Sequence, residues 1–127
     1  MARTPDQLTA DDLAFLAERH LGTLTTLRAD GSPHVVAIAF TYEDGFVSMI
    51  SSDGTQKVLN VEERGRAVVC QVDGRRWLAL EGDGVVLRDA DRVGEGERSF
   101  ERRYRPVREN PRRVVIRIEV DRILGRA

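Results

Sequence analysis

The strongest constraint on the fold is a set of three Asp-Gly turns, each lying between two runs of residues that favour strands. The turns are Asp30-Gly31, Asp44-Gly45 and Asp73-Gly74. Asp-Gly is among the strongest signals for a tight hairpin, because glycine readily adopts the positive φ angles that such turns require. Repeated turns of this kind predict that successive strands pair in an antiparallel manner.

The sequence predicts six strands and three helices. A first helix is predicted to begin at Thr9 and stop at Gly22, because the Thr9 hydroxyl precedes an acidic residue by three positions and apolar residues follow at helical spacing. A second, short helix is expected to end near Arg64. A third helix is expected only from about Glu95, because Gly94 and Gly96, on either side of that residue, are costly in a helix. The expected strands cover residues 23–29, 33–42, 46–50, 67–72, 76–87 and 113–120.

These elements indicate a mainly β protein, a small antiparallel barrel of six strands with few helices. A doubly wound sheet is disfavoured, since it would need a helix between nearly every pair of strands. At 127 residues the chain is expected to form one domain over residues 1–127.

Charge and composition argue against several classes of partner. The formal net charge of −1 gives no overall attraction to nucleic acid or to an anionic membrane. Cys70 is the single cysteine, so it has no disulfide partner within the chain, and its apolar neighbours predict a small buried side chain. Residues 1–7 contain no apolar signal core, and the longest apolar run, residues 35–40, is too short to span a bilayer. The sequence therefore predicts a cytoplasmic protein.

Residues 51–60, Ser-Ser-Asp-Gly-Thr-Gln-Lys-Val-Leu-Asn, form a candidate anion site between a strand and a short helix. A helix N-terminus carries N–H groups without internal partners and a partial positive charge. Hydroxyl groups and the ammonium of Lys57, the only lysine in the sequence, would add further donors. The alternative is an ordinary capped turn with a solvated lysine.

A second candidate anion site is the segment 102–113, where six arginines and one acid lie in a proline-stiffened loop. Arginine forks suit carboxylates and phosphates, so the loop is either a clamp for an acidic ligand or a solvated basic loop. Nucleic acid is a weaker third possibility, because few aromatic residues interleave these arginines.

Two further stretches are candidate walls for a planar ligand. Trp77 either packs in the core or walls a flat cofactor. The strand start at residues 32–37 is either a plain buried strand or a surface where backbone groups and small side chains meet a heterocycle.

The residues give no sign of a metal site or of a catalytic residue. The two histidines, His20 and His34, have no partner at metal-ligand spacing, and no nucleophile motif is present. If the protein is an enzyme, a cofactor is expected to carry the chemistry.

Taken together, these stretches resemble the flavin- and deazaflavin-dependent split β-barrel superfamily related to pyridoxamine 5'-phosphate oxidase, which is an FMN-binding split-barrel type of fold. Residues 24–36 resemble its opening hairpin, 56–60 its phosphate segment and 77–82 its cofactor-side strand. Residues 110–116 and 122–125 make the chain most similar to the actinobacterial F420-dependent biliverdin reductases.

The resemblance implies a homodimer with coenzyme F420, a deazaflavin with a phosphate and an oligoglutamate tail, at the subunit interface. It implies hydride transfer to a conjugated anionic substrate, with biliverdin first. FMN is the alternative cofactor, and a non-catalytic F420- or tetrapyrrole-binding protein is the alternative function. Arg112 and Arg113 are expected to meet the tail or the propionates of a bilin. The implied cofactor-binding residues are His34, Val35, Val36, Ala37, Ser52, Gln56, Lys57, Asn60 and Trp77.

Overall fold

The structure is a computed structural model, and it describes residues 2–127. Those residues form seven strands, three α-helices and one short 3-10 helix at Pro5–Gln7. The helices are α1 (Ala10–Ala17), α2 (Gln56–Arg64) and α3 (Ala90–Arg103). The strands are β1 (Gly22–Leu27), β2 (Pro33–Ile38), β3 (Thr41–Glu43), β4 (Phe46–Ser52), β5 (Arg66–Asp73), β6 (Arg76–Leu87) and β7 (Arg113–Arg126).

The strands form one antiparallel sheet in the order β2-β1-β5-β6-β7-β4-β3. Its two edge strands, β2 and β3, are consecutive in the chain and are separated only by Ala39 and Phe40. Three steps between Cα atoms span at most about 11 Å. The sheet therefore curls until its edges approach each other, which gives a barrel with a split between β2 and β3.

The number of strands differs from the sequence prediction. The run 33–42, predicted as one strand, divides into β2 and β3 at Phe40. The Phe40 N–H donates to the Tyr104 hydroxyl at 3.2 Å, and its carbonyl accepts from Tyr104 and from Arg103. Side chains from the end of α3 thus take the place of a neighbouring strand at this residue, which is why seven strands form instead of six.

The N-terminal segment and α1 are fixed by the carboxylate of Asp12. Thr9 and Asp12 form a reciprocal capping box, with N-to-oxygen distances of 2.9 and 3.1 Å. The same carboxylate accepts from Arg3 at 2.6 Å and from the backbone N–H of Ala127 at 3.0 Å. Burial raises the pKa of Asp12, but these hydrogen bonds outweigh it and lower the pKa to about 2. The helix ends at Ala17, before the predicted stop at Gly22.

Helix α3 begins earlier than predicted, at Ala90, because the Asp89 side chain accepts from the Arg92 N–H at 3.1 Å and caps the helix. Gly96 is buried where α3 crosses the sheet, and a Cβ atom there would lie 2.5 Å from Cγ2 of Val115. The glycine that is unfavourable in an isolated helix is therefore needed for close packing.

The core lies inside the barrel, with α1 and α2 closing against it. Strand β7 continues to Arg126, past the predicted end at Val120, because it stays paired with β6 after a bulge at Glu81/Gly82. No helix within residues 2–127 has the length and apolar character needed to cross a membrane. The largest fully buried side chains are Phe15, Phe40, Leu24, Leu78, Leu80, Ile116, Ile118, Ile123, Gln71, Val47, Val58 and Val61.

Candidate functional site

The turn between β4 and α2 leaves the start of the helix without a side-chain cap. Gly54 has a φ of +84°, and Thr55 follows as the residue before the first helical turn. The Thr55 hydroxyl donates to the Ser52 carbonyl at 2.9 Å and makes no capping hydrogen bond to the helix. The first N–H groups of α2 thus keep their capacity to bind an anion.

Lys57 lies in the first turn of α2 and is half-buried. Its ammonium forms no ion pair and no side-chain hydrogen bond with the rest of residues 2–127, whose arginines supply the cations of nearly every ion pair. A free ammonium next to an uncapped helix N-terminus is a favourable arrangement for a phosphate.

The one carboxylate of this turn, Asp53, is neutralised by Arg88. The Arg88 guanidinium reaches both Asp53 oxygens, at 2.9 and 3.1 Å, and also binds Glu62 on α2 at 2.5 and 3.1 Å. These contacts with Arg88 lower the pKa of Asp53. The Asp53 carboxylate is therefore paired within the protein, which weakens its repulsion of an anionic ligand.

Arg112 joins the same turn from the loop before β7. Its Nη2 donates to the Asp53 carbonyl at 2.8 Å, and its own carbonyl accepts from the Asp53 N–H at 2.8 Å. A Cβ atom at Gly54 would lie 2.8 Å from this guanidinium nitrogen, so the glycine makes room for it. Asn110, which the sequence analysis did not select, donates from Nδ2 to the Ser52 hydroxyl at 2.8 Å.

Arg113 is engaged elsewhere. It begins β7 opposite Ser52, but its guanidinium donates to the Arg108 carbonyl and its Nε lies 3.4 Å from Oε2 of Glu97 on α3. The structure thus separates the two adjacent arginines, with Arg112 at the turn and Arg113 against α3.

A chain of polar side chains anchors α2 to the end of the barrel. Gln56 Nε2 donates to Asn60 Oδ1 at 2.6 Å, and Asn60 Nδ2 donates to the Thr26 hydroxyl at 3.0 Å. Asn60 is buried, so it orients the helix from inside. His34 pairs with Thr26 in the ladder, and its Nδ1 is buried without a hydrogen-bond partner in the described part of the chain.

Strand β2 runs beside this cluster as an edge strand, bonded only to β1. Alternate backbone N–H and C=O groups of an edge strand remain free for another partner. Val36 packs against the core, whereas Val35 and Ala37 face outward and Val35 is 58% exposed. The edge backbone and these small side chains are what a planar heterocycle would meet.

Trp77 lies far from His34 along the strands of one chain. It pairs with Val72, whereas His34 pairs with Thr26, and Thr23 pairs with Cys70. Trp77 and His34 are therefore five residue steps apart along the strands, about 16 Å at 3.3 Å per residue. Trp77 is 42% exposed, so the core-packing alternative does not describe it.

The outer face of the sheet carries an uncharged row that crosses five strands. The row consists of Ala37, Thr23, Cys70, Ala79 and Leu124, each paired with the next. We call this row, together with the apolar side chains that flank it, the outer apolar patch; the flanking residues are Val35, Val72 and Trp77, which are exposed, and Val68, which is half-buried. Cys70 was predicted to be buried but is half-buried here, and burial raises the pKa of its thiol.

One group with metal-ligand character appears in the fold although none was predicted. Glu18, His20 and Asp73 place one ligand atom each within 4.8 Å of one another. Arg76 donates to Glu18 at 2.7 and 3.0 Å and to Asp73 at 2.6 Å, so both carboxylates already share an internal cation. Hydrogen bonds from Arg76, and then from His20, lower the pKa of Glu18 to about 2.

Comparison with known proteins places the chain among relatives of the same architecture. The profile of the family described as pyridoxamine 5'-phosphate oxidase matches residues 8–127. The chain belongs to this pyridoxamine 5'-phosphate oxidase family. One similar protein is the F420H(2)-dependent biliverdin reductase of Mycobacterium tuberculosis, which is 50% identical over 129 residues that cover 100% of this chain and 94% of that protein.

Solved structures with the same architecture confirm the predicted split-barrel fold. An F420 reductase has a TM-score of 0.74 at 23% identity, covering 87% of this chain and 94% of its own. A conserved hypothetical protein from Mycobacterium tuberculosis has a TM-score of 0.79 at 23% identity, covering 92% of this chain and 87% of its own. At these identities the likeness establishes the fold.

Proposed function

We propose that this protein is an oxidoreductase that uses reduced coenzyme F420 to reduce a conjugated anionic small molecule, with biliverdin as the leading substrate. The observation that carries the proposal is the β4–α2 turn, which combines an uncapped helix N-terminus, with Lys57 in its first turn, and the guanidinium of Arg112 on the Asp53 carbonyl. The family member with 50% identity, named for F420H(2) and biliverdin, supports the choice of cofactor and substrate.

The turn suits the phosphate of the cofactor. Ser52, Gln56 and Lys57 would provide a hydroxyl, an amide and a charge, while Arg112 would add a second charge above Gly54. Buried Asn60 would hold α2 in place. The charge at this turn is thus fixed before the ligand arrives, which lowers the cost of binding.

The ring of the cofactor would lie along the free edge of β2, at residues His34, Val35, Val36 and Ala37. The exposed and small side chains of Val35 and Ala37 allow close approach, and the edge backbone offers hydrogen bonds. The chain thereby orients the ring without supplying the reactive group. When bound, the reduced deazaflavin supplies a hydride to the central methine carbon of biliverdin, and a proton taken up from solvent completes bilirubin.

The outer apolar patch supports a homodimer. Five neighbouring strands without a charge in the row, flanked by Val35, Val72 and Trp77 with 58%, 60% and 42% exposure, are typical of a covered surface. Because Val35 and Ala37 belong to both the patch and the proposed ring site, the cofactor would lie at the edge of the interface. The roughly 16 Å separation within one chain then favours a contribution of Trp77 from the partner subunit.

A parallel titration with F420 and FMN tests the cofactor, followed by anaerobic turnover with biliverdin. We expect binding of F420 and loss of biliverdin absorbance only when reduced F420 is present. Tight binding of FMN without binding of F420 would identify FMN as the cofactor and indicate an FMN-dependent oxidoreductase of the same fold. Binding of F420 or of the bilin without turnover would indicate a non-catalytic binding protein.

A further inference from the structure

Two cavities lie side by side on the outer face of the sheet, next to α3, with volumes of about 560 and 450 Å³. Both are lined by Phe46 of β4, Leu87 of β6, Arg92 of α3 and Arg117 of β7, so they form one continuous groove, which we call the Phe46 groove. Ligand pockets in proteins typically measure about 300–1,000 Å³, and each half of the Phe46 groove is in that range. The Phe46 groove is therefore large enough for a small molecule.

The Phe46 groove is separate from the proposed phosphate site. Phe46 begins β4 and Ser52 ends it, so the two residues are six steps apart, about 20 Å at 3.4 Å per residue. Helix α3 crosses the outer face between them, where a Cβ atom at Gly96 would lie 2.5 Å from Cγ2 of Val115 and 3.4 Å from Cγ2 of Ile50. A ligand in the Phe46 groove would therefore leave the β4–α2 turn free, and its binding does not depend on the proposed function.

Two guanidinium groups at the centre of the groove have no hydrogen-bond partner in the described part of the chain. The Arg117 guanidinium carbon lies 3.9 Å from the centre of the Phe46 ring, and the Arg117 side chain is half-buried. Neither Arg117 nor Arg92 forms a side-chain hydrogen bond or an ion pair within residues 2–127, since the contact of Arg92 with Asp89 uses its backbone N–H. Stacking on an aromatic ring holds a guanidinium plane while leaving its N–H groups free to bind an anion.

The rest of the groove limits how much negative charge a ligand can carry. Each cavity adds acidic residues that the other does not share; these are Glu43, Asp44 and Glu95 in the larger cavity and Asp83, Glu119 and Asp121 in the smaller one. The nearby cations are Arg98 and Arg102 in the larger cavity and Arg66, which pairs with two acids of the smaller one. The net charge outside the centre is therefore negative, which opposes a polyanion such as nucleic acid or an oligoglutamate chain. A compact ligand with one negative charge is favoured.

An apolar surface lies next to the two central arginines. Val85 of β6 lines the smaller cavity and is 52% exposed, and the half-buried Leu87 lines both cavities. Val115 of β7 lines the larger cavity beneath α3. Covering such a surface with the ring of a ligand removes apolar area from water and is favourable. The groove thus combines a site for one anionic group with a surface for an apolar body.

We propose that the Phe46 groove binds a small aromatic carboxylate. Its carboxylate would pair with Arg92 and Arg117, and its ring would pack against Val85 and Leu87. Guanidinium groups bind carboxylates through paired N–H donors, and a planar ring can also stack on the guanidinium of Arg117. Such a ligand would bind in addition to the cofactor and not in its place.

Nuclear magnetic resonance of the isotope-labelled full chain tests the proposal, with naphthoate as the probe and naphthalenemethanol as its uncharged counterpart. We expect saturable shifts of amide signals centred on Phe46, Leu87 and Arg117 with naphthoate, and roughly tenfold weaker binding of the alcohol. Arg92→Gln combined with Arg117→Gln should raise the dissociation constant for naphthoate roughly tenfold. Arg75→Gln is the matched control, because Arg75 is exposed and unpaired within residues 2–127 and lies in the β5–β6 turn; its dissociation constant should stay within about twofold.

The comparison of naphthoate with the alcohol uses the unchanged protein, so it decides the case even if the double variant does not fold. Equal affinities of the two probes, a lack of saturable shifts, or shifts centred on the outer apolar patch or on Lys57 would overturn the proposal. An unchanged dissociation constant in a folded double variant would overturn it as well. Binding of F420 at the β4–α2 turn is a separate result, so the failure of either proposal leaves the other standing.

Discussion

Replacing Lys57 with methionine removes the ammonium from the first turn of α2 but keeps an unbranched side chain of similar length. Because the ammonium makes no ion pair within residues 2–127, no internal carboxylate is left without a partner by the change. The fold should therefore tolerate Lys57→Met. Arg112 and the N–H groups of the helix remain in place, so the variant isolates the contribution of one charge.

The expected loss is one charge-assisted contact with a phosphate. Such contacts contribute about 1–3 kcal/mol, and half-burial of Lys57 reduces screening by solvent. The middle of that range, about 2 kcal/mol, corresponds to a roughly thirtyfold rise in the dissociation constant for F420. Lys57→Arg should recover part of the affinity, since it restores the charge with a different geometry.

Fluorescence or calorimetric titration with F420 measures the effect, with Arg64→Met as the matched control. Arg64 lies at the opposite end of α2, where it pairs with Glu63, so its loss changes the helix charge equally but away from the turn. The control should bind F420 as the unchanged protein does. Equal affinity of Lys57→Met and the unchanged protein, or an equal loss in Arg64→Met, would refute the phosphate assignment.

Three further predictions concern stability and assembly. The pKa of Asp12 is about 2, against 3.8 when unperturbed, so its ionised form adds roughly 2 kcal/mol to the free energy of unfolding. This contribution is present above pH 4 and is lost as the pH falls through 2. Urea unfolding of Asp12→Asn should show that loss at pH 7 and a flatter acid limb; an unchanged acid profile would contradict it. Gly96→Ala should lower the stability of the fold by about 1–3 kcal/mol in thermal unfolding, while Gly94→Ala in the same helix should be neutral or stabilising. Equal effects of the two changes would argue against the close contact between Gly96 and Val115. Val72→Lys should give a monomer by ultracentrifugation and Val85→Lys, similarly exposed but outside the outer apolar patch, should not; identical sedimentation would count against the interface.

Local chemistry accounts for what the sequence predicted well. The three Asp-Gly turns form as expected, with positive φ at Gly31, Gly45 and Gly74, because their geometry depends on adjacent residues alone. Strand β6 runs over Arg76–Leu87 as predicted. The β4–α2 turn also follows from neighbours in the chain, and this is why it was recognisable as a candidate anion site.

The features that were missed depend on residues distant in sequence. Asn110 reaches Ser52 from 58 positions away, and nothing near it in the chain signals that contact. The early start of α3 was missed because glycine propensity describes an isolated helix, whereas Gly96 is selected by contact with the sheet. Arg112 and Arg113 look equivalent in sequence, but only Arg113 pairs with β4, and contacts with residues distant in sequence hold the two side chains apart.

The Arg103 side chain bears on the order in which the chain folds. Its guanidinium donates to the carbonyls of Glu18 and Phe40 and to Gln71, joining segments as far as 85 positions away, and burial lowers its pKa. Until Arg103, Tyr104 and the following strand β7 have been synthesised, the backbone groups of Phe40 lack their side-chain partners and β4 has no strand that joins it to β6. Strands left unpaired in this way can pair with other chains. Closure of the barrel is thus a late event in synthesis.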